Sequence, residues 1–502
     1  MRESYEALAR RSRERATLAS CAALLGWDEQ TYLPQGGAEG RGEQMALLAG
    51  LAHERATDPR FGELLAEVEG TELAADPDAP EAANIREWRR NYERATKLPR
   101  SLVEEMATAT TMAQQAWVEA RARSDFPAFR PWLEKIMGLK RQEAACLRPG
   151  SGPLYDALLD EYEPGATTAE LTSLFASLRA DLVPLVAAIV GSNRPSIPDV
   201  LVGDYPVDRQ RIFGETVAAS IGFDFERGRL DTTAHPFCSG IGPGDCRITT
   251  RFDPRGFADA FFGILHEVGH GLYEQGLDPK RFGTPTGEAV SLGVHESQSR
   301  LWENGVGRSR AFWAHWLPLA RRVFRDALHG VDPDAFHAAI NRVAPSLIRV
   351  QADEVTYNLH ILIRFELEQA LIGGDLAVAD LPEAWNGKYQ AYLGILPPDD
   401  AQGCLQDIHW AAGLVGYFPT YSLGNLYAAQ LHARADADLG GLDAALARGE
   451  SAGLLEWLRA RVHRFGQQYP AGELIRRATG VPLDHRPLID ALQAKYGEIY
   501  AL

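Results

Sequence analysis

The chain has 502 residues, 45% of them hydrophobic, so it can bury a large core. Its formal charge of −17 argues against nucleic acid and against anionic membrane surfaces as partners. Cys21, Cys146, Cys238, Cys246 and Cys404 are scattered, odd in number and without a CxxC pair, which points to free thiols in a reducing compartment. Met1-Arg2-Glu3-Ser4-Tyr5-Glu6 holds no apolar signal core, and no later apolar run is expected to reach transmembrane length. A cytoplasmic location with no membrane partner is therefore expected.

Helical patterns run through residues 5–25, 41–54, 60–73, 81–95, 101–123 and 126–146, with a turn at Leu33-Pro34-Gln35-Gly36-Gly37. Ser101 reads as the N-cap of the fifth. No strand is expected in this part, and no residue before 200 carries chemistry that can be named. A helix over 167–192, capped by Thr167 or Thr168, should end at Arg194-Pro195-Ser196, and another covers 207–221. Residues 230–251 are richer in Thr, Gly, Pro and Cys. Arg247-Ile248-Thr249-Thr250-Arg251-Phe252 reads as a strand, so a small sheet or hairpin is expected. Such a strand can offer backbone groups to an extended peptide.

Residues 257–275 read as one buried helix, with Phe261, Phe262, Ile264, Leu265, Val268 and Leu272 making it apolar nearly all round. It carries His266-Glu267-Val268-Gly269-His270. Histidines four apart lie on one helix face, where one tetrahedral metal ion takes both imidazoles. Glu267 stands beside the first of them and can polarise a bound water. Gly263, Gly269 and Gly271 each cost helix stability, so something is expected to pack very close. Residues 287–304 read as a second helix holding His295-Glu296. Glu296 follows His270 by 26 residues and is a candidate third ligand, with Glu288 and Glu303 as rivals. Among thirteen histidines only His270 has a glutamate three residues before it, which argues against a helical di-iron protein built on two Glu-x-x-His elements.

Downstream, helices are expected over 309–328, 332–343, 383–392, 422–435, 442–448, 454–465, 473–479 and 487–496. Residues 345–372 read as one central apolar helix carrying Arg349, Asp353, Glu354, Tyr357, Asn358 and His360. Gln406, Asp407, His409 and Trp410 follow, then a turn at Gly416-Tyr417-Phe418-Pro419-Thr420-Tyr421.

Several stretches together resemble the carboxypeptidase Taq family of metallocarboxypeptidases. His235-Pro236-Phe237 is similar to its HPF motif, and Asp245-Cys246-Arg247-Ile248-Thr249-Thr250 to DxRxxT. His266 to His270 carries the metal motif, and His295-Glu296-Ser297-Gln298 resembles HESQ. Ile348-Arg349-Val350-Gln351-Ala352-Asp353 resembles IRxxAD, and Gly403 to Trp410 resembles GxxQDxHW. Trp27-Asp28 with Pro34-Gln35-Gly36-Gly37 is also familiar, so the likeness covers nearly the whole chain.

The resemblance implies a mainly helical, all-α saddle related to neurolysin and angiotensin-converting enzyme, with a deep groove and a small sheet beside the active site. It implies one catalytic domain over 1–502, with residues up to about 200 forming part of the groove wall or lid. It implies a homodimer, a divalent metal (Zn2+ or Co2+), and release of C-terminal amino acids from peptides with broad specificity. His266, His270 and Glu296 would bind the metal, and Glu267 would be the general base. His409 and a tyrosine within residues 417–421, first Tyr421, would hydrogen-bond the substrate or oxyanion. Arg349 is the expected anchor for the substrate carboxylate, since a planar guanidinium binds both oxygens. Asp353, four residues on, is its rival partner. Arg247, His235 and Tyr417 are further substrate-binding candidates. A thimet-type oligoendopeptidase would use the same metal triad without a carboxylate anchor.

Overall fold

The structure, a computed structural model, describes every residue except 149 and 193–196. The helix break expected at residues 194–196 lies outside the described residues. The molecule is mainly helical with one three-stranded sheet, and it divides into two compact units. Unit 1 comprises Met1–Thr96, Ile197–Ile340 and Tyr427–Leu483; unit 2 comprises Lys97–Ser196, Asn341–Leu426 and Asp484–Leu502.

In unit 1, helix α1 (Arg2–Thr31) is longer than its periodicity suggests and includes Trp27-Asp28. The expected sheet is β1 (Gly228–Thr232), β2 (Cys238–Gly242) and β3 (Asp245–Thr250), in the order β1-β3-β2. β3 pairs parallel to β1 and antiparallel to β2. The strand expected at residues 247–252 is thus the central one, hydrogen-bonded on both sides. It cannot itself take an added peptide strand; only β1 and β2 are edges.

Helix α2 (Ala258–Gly276) follows directly. Its expected apolar cylinder is buried: Phe261, Phe262, Ile264, Leu265, Val268 and Leu272 are each at most 3% exposed. Phe261 packs among Phe213, Phe257 and Trp313, with ring centroids 5.0–5.4 Å away. Each fully buried side chain of this kind contributes about 1.5–3 kcal/mol. The second helix is shorter than expected. Residues 288–291 are not helical, because the Ser291 hydroxyl accepts from Val294 N and starts α3 (Leu292–Arg300) there. From Leu301–Val306 the chain continues as a π-helix.

In unit 2 the long helix expected over 345–372 is broken. Residues 349–351 form a short 3-10 turn, and α4 runs Tyr357–Gly373. The Gln406 side chain takes the Arg349 N–H, and the Asp353 carboxylate accepts from Val355 N and Thr356 N. These side chains satisfy backbone donors that a helix would have used. Ser101 is not a cap either: the helix Arg100–Arg123 starts after Pro99, whose fixed φ suits that place. Leu154–Tyr162 is a helix that the periodicity did not single out.

Thr167 caps Thr168–Val190 by accepting from Glu170 N. This helix is long and apolar enough to cross a membrane by length and composition, against the expectation that no run reaches that length. Leu171, Phe175, Leu178, Leu182 and Leu185 make the reason plain, since they form a buried stripe at helical spacing. Alanines among the remaining positions raise the average further.

Two of the three helix glycines are explained by close packing. A Cβ on Gly269 would meet the backbone of α3, 2.4 Å from Gln298 O and 2.6 Å from Ser299 Cα. One on Gly271 would lie 2.6 Å from the Phe223 ring. Gly263 faces only Thr250 Oγ1 at 3.5 Å, an ordinary contact. Gly269→Ala is therefore expected to lose about 1–3 kcal/mol in chemical denaturation, because neither backbone can yield. Gly263→Ala serves as the control and should be neutral or gain up to about 1 kcal/mol of helix propensity.

Candidate active site

The close packing of α2 on α3 brings His266, His270 and Glu296 together. Their candidate ligand atoms lie within 4.8 Å of one another, the one such group among the described residues. His266 Nε2 is 3.6 Å and His270 Nε2 3.4 Å from Glu296 Oε2. The rivals separate. Glu303, on the π-helix, lies 2.9 Å from His266 Nδ1, behind the first imidazole. Glu288 is not part of the group.

Each of the three side chains is held from behind. The Glu303 carboxylate only accepts, so His266 Nδ1 donates to it and Nε2 is the nitrogen turned toward Glu296. Glu296 Oε1 accepts from Arg300 Nε at 2.7 Å, and Oε2 lies 3.1 Å from Ser299 Oγ. Arg300 also donates to Glu303 at 3.2 Å. His270 Nδ1 lies 2.6 Å from His295 Nδ1, and His295 Nε2 lies 2.8 Å from Glu274 Oε1.

Glu267 is buried beside these groups, and among the described residues its carboxylate takes no hydrogen bond. Burial pushes it up to about 7, with Glu296 and Glu303 adding and His266 opposing. Burial would raise Glu296 too, but Arg300 and the two imidazoles hold it well below the usual carboxylate range. Glu303 likewise falls to about 2, as Arg300 and His266 outweigh its burial. Burial lowers His270 to about 4, whereas Glu296 and Glu303 overcome it at His266 and raise that imidazole to about 9.

The donor set suits a divalent cation. Two imidazoles and one carboxylate, with an open position, form a catalytic zinc-type set. Four carboxylates, Glu267 and Glu296 buried and Glu274 and Glu303 partly so, face two guanidiniums, Arg300 and Arg308, a formal excess of two negative charges when both ligand imidazoles are neutral. A dication answers that excess.

The remaining candidates are distributed between the two units. In unit 1, His235 stands exposed between β1 and β2. The Arg247 guanidinium is bidentate on Asp245, with both contacts 2.8 Å, and lies over the Trp27 ring at 4.2 Å. In unit 2, Arg349 does not pair with Asp353. Its guanidinium donates to Asp407 at 2.9 Å and to Tyr357 Oη at 3.1 Å, because the Asp353 carboxylate is already spent on backbone donors. Asp407 also accepts from the fully buried Arg364 at 2.7 Å. Burial opposes charge on Asp407, but the two arginines hold it well below the usual range.

Tyr421 Oη lies 3.2 Å from His409 Nε2, and its ring lies under Arg349 at 5.1 Å. Tyr417 packs edge-on against Tyr162 and Tyr421, with centroids 5.2 and 5.4 Å away. Burial lowers His409 to about 4. Sequence reasoning gave no role to His295, Glu274, Arg300 or Arg364. Glu274 continues the i, i+4, i+8 row of His266 and His270, and that spacing was the available signal.

The family description "Carboxypeptidase Taq (M32) metallopeptidase" matches residues 7–496. Thermostable carboxypeptidase 1 of Thermus thermophilus is 51% identical over 99% of both chains, and carboxypeptidase 1 of Bacillus subtilis is 39% identical over 96% of both. The crystal structure of an M32 carboxypeptidase from Deinococcus radiodurans superposes with a TM-score of 0.96, at 44% identity over all of both chains. Metallocarboxypeptidase 1 of Trypanosoma cruzi gives 0.94 at 35% identity, over 99% of this chain and all of its own. The chain belongs to the carboxypeptidase Taq (M32) family of metallopeptidases.

Proposed function

We propose that this metallocarboxypeptidase releases C-terminal residues from peptides with broad specificity, using Glu267 as general base beside a divalent ion, Zn2+ or Co2+, held by His266, His270 and Glu296. The observation that carries this reading is the convergence of three donors beside the buried Glu267 carboxylate. When bound, the ion supplies Lewis acidity that acidifies a water and polarises a peptide carbonyl. Glu267 takes the proton of the attacking water and returns it to the leaving amine. In unit 2, Tyr421 donates to the developing oxyanion, and its partner His409 hydrogen-bonds the substrate. A homodimer belongs to the same reading and rests on the family resemblance, and a cytoplasmic location rests on the scattered, odd-numbered cysteines.

Arg349 is the proposed anchor for the terminal carboxylate. Its support is a charge imbalance: Arg349 and Arg364 share the single carboxylate of Asp407, leaving one buried positive charge over. Arg247 is the weaker candidate, since its guanidinium is already matched by Asp245.

Glu296→Ala is expected to lose most bound metal in elemental analysis; full metal and activity would move the third ligand to Glu303 or Glu288. Glu267→Gln should keep fold and metal while kcat falls about 10²–10⁴-fold. A near-normal kcat would remove Glu267 from the role of base. Arg349→Ala should cost about 2–5 kcal/mol in kcat/KM on peptides with a free C-terminus, and much less on the same peptides amidated. An equal loss on both would leave Arg349 as a structural partner of Asp407.

A further inference from the structure

We propose that His295 and Glu274 act as a positioning pair that holds the ring proton of His270 on Nδ1, so that Nε2 faces Glu296 as a bare donor. The inference rests on the metal-site reading above and assigns two residues that reading leaves without a role.

The argument is a count of protons along one hydrogen-bonded row. The Glu274 carboxylate can only accept, so the atom 2.8 Å away, His295 Nε2, carries a proton. With a single N–H on His295, that proton is on Nε2 and Nδ1 is left as a lone pair. That lone pair lies 2.6 Å from His270 Nδ1. Two lone pairs at this distance repel, so the proton between the rings belongs to His270 Nδ1. The nitrogen left for a cation is then Nε2, 3.4 Å from Glu296 Oε2. The opposite arrangement would put an N–H on Nε2, where no cation can be taken.

The row is built into the fold. Glu274 lies one turn beyond His270 on α2, and His295 precedes Glu296 on α3. The same row therefore links the two helices that carry the ligands. His295 is packed between the His270 ring, 4.6 Å away, and the Tyr273 ring, 5.3 Å away. Gly240 on β2 makes room for Glu274, since a Cβ there would meet Oε2 at 2.5 Å. The two histidines are thus oriented by different means. His266 has a carboxylate directly on Nδ1, while His270 has an imidazole there with the carboxylate one step further back. Groups behind a ligand in this way typically change metal affinity about 10–100-fold when removed.

The test is Zn2+ affinity of the full-length protein, measured by competition with a chromophoric chelator, with circular dichroism and metal-free melting as fold controls. His295→Phe keeps a flat ring but no nitrogen, and should weaken binding about 10–100-fold. His295→Asn places an amide oxygen where Nδ1 stood, and should recover most of that loss. Glu274→Leu should weaken binding in the unaltered background and add little in the His295→Asn background. If His295→Phe does not fold, Glu274→Leu, which leaves both imidazoles, carries the same expectation. Equal losses in the Phe and Asn variants, or no loss in either, would overturn the positioning role while leaving the metal site standing. Failure of the unaltered protein to take up stoichiometric Zn2+ would overturn the site reading and this inference with it.

Discussion

The approach of α2 to α3 at Gly269 is the constraint on which the unit 1 site depends. No side chain separates the two backbones there, and that is why donors from both helices meet around one point. α3 is suited to such burial despite its polarity. Ser297 and Ser299 are fully buried, yet their hydroxyls donate to Val294 O and Glu296 O of their own helix. Small residues whose polar groups are satisfied locally let two helices touch without orphaned hydrogen-bonding groups.

Buried charge is handled in opposite senses in the two units. Around the histidines of unit 1, carboxylates outnumber guanidiniums, and burial costs are offset by Arg300 bridging Glu296 and Glu303. In unit 2, Asp407 bridges Arg349 and Arg364, and Gln406 takes a further N–H from Arg364 at 2.7 Å. Such clusters are expensive unless every member is paired. An excess of negative charge in one and of positive charge in the other has the signs that a cation and a carboxylate would answer.

Much of the fold was legible because long helices announce themselves by period. α2 was readable nearly to its ends from apolar residues on all sides, and the change of texture after residue 230 marked the sheet. The failures have physical causes. The 345–372 segment is apolar enough for one helix, but Asp353 and Gln406 divert backbone donors, and the partner Gln406 lies 57 residues on from Arg349. The same distance in sequence hid Asp407 as the partner of Arg349, so the nearer Asp353 looked sufficient. At the site, the HExxH spacing pointed to two donors and a base. His295 went unassigned because its role depends on which nitrogen faces which neighbour, a matter of ring orientation that no spacing encodes.

The interleaving of the two units bears on how the chain is made. Unit 1 draws on residues near both ends: the Arg86 guanidinium donates to the carbonyls of Gln467 and Gln468 at 3.1 and 3.3 Å, some 380 residues away in sequence. A ribosome delivers the N-terminal helices long before those carbonyls exist. Contacts of such separation close late and slowly. The helices of residues 1–96 must therefore wait, with apolar faces incompletely covered, while unit 2's first stretch emerges after them. Their early safety during synthesis depends on local packing, such as Trp88 on Tyr5 and Phe61, which the first hundred residues supply among themselves.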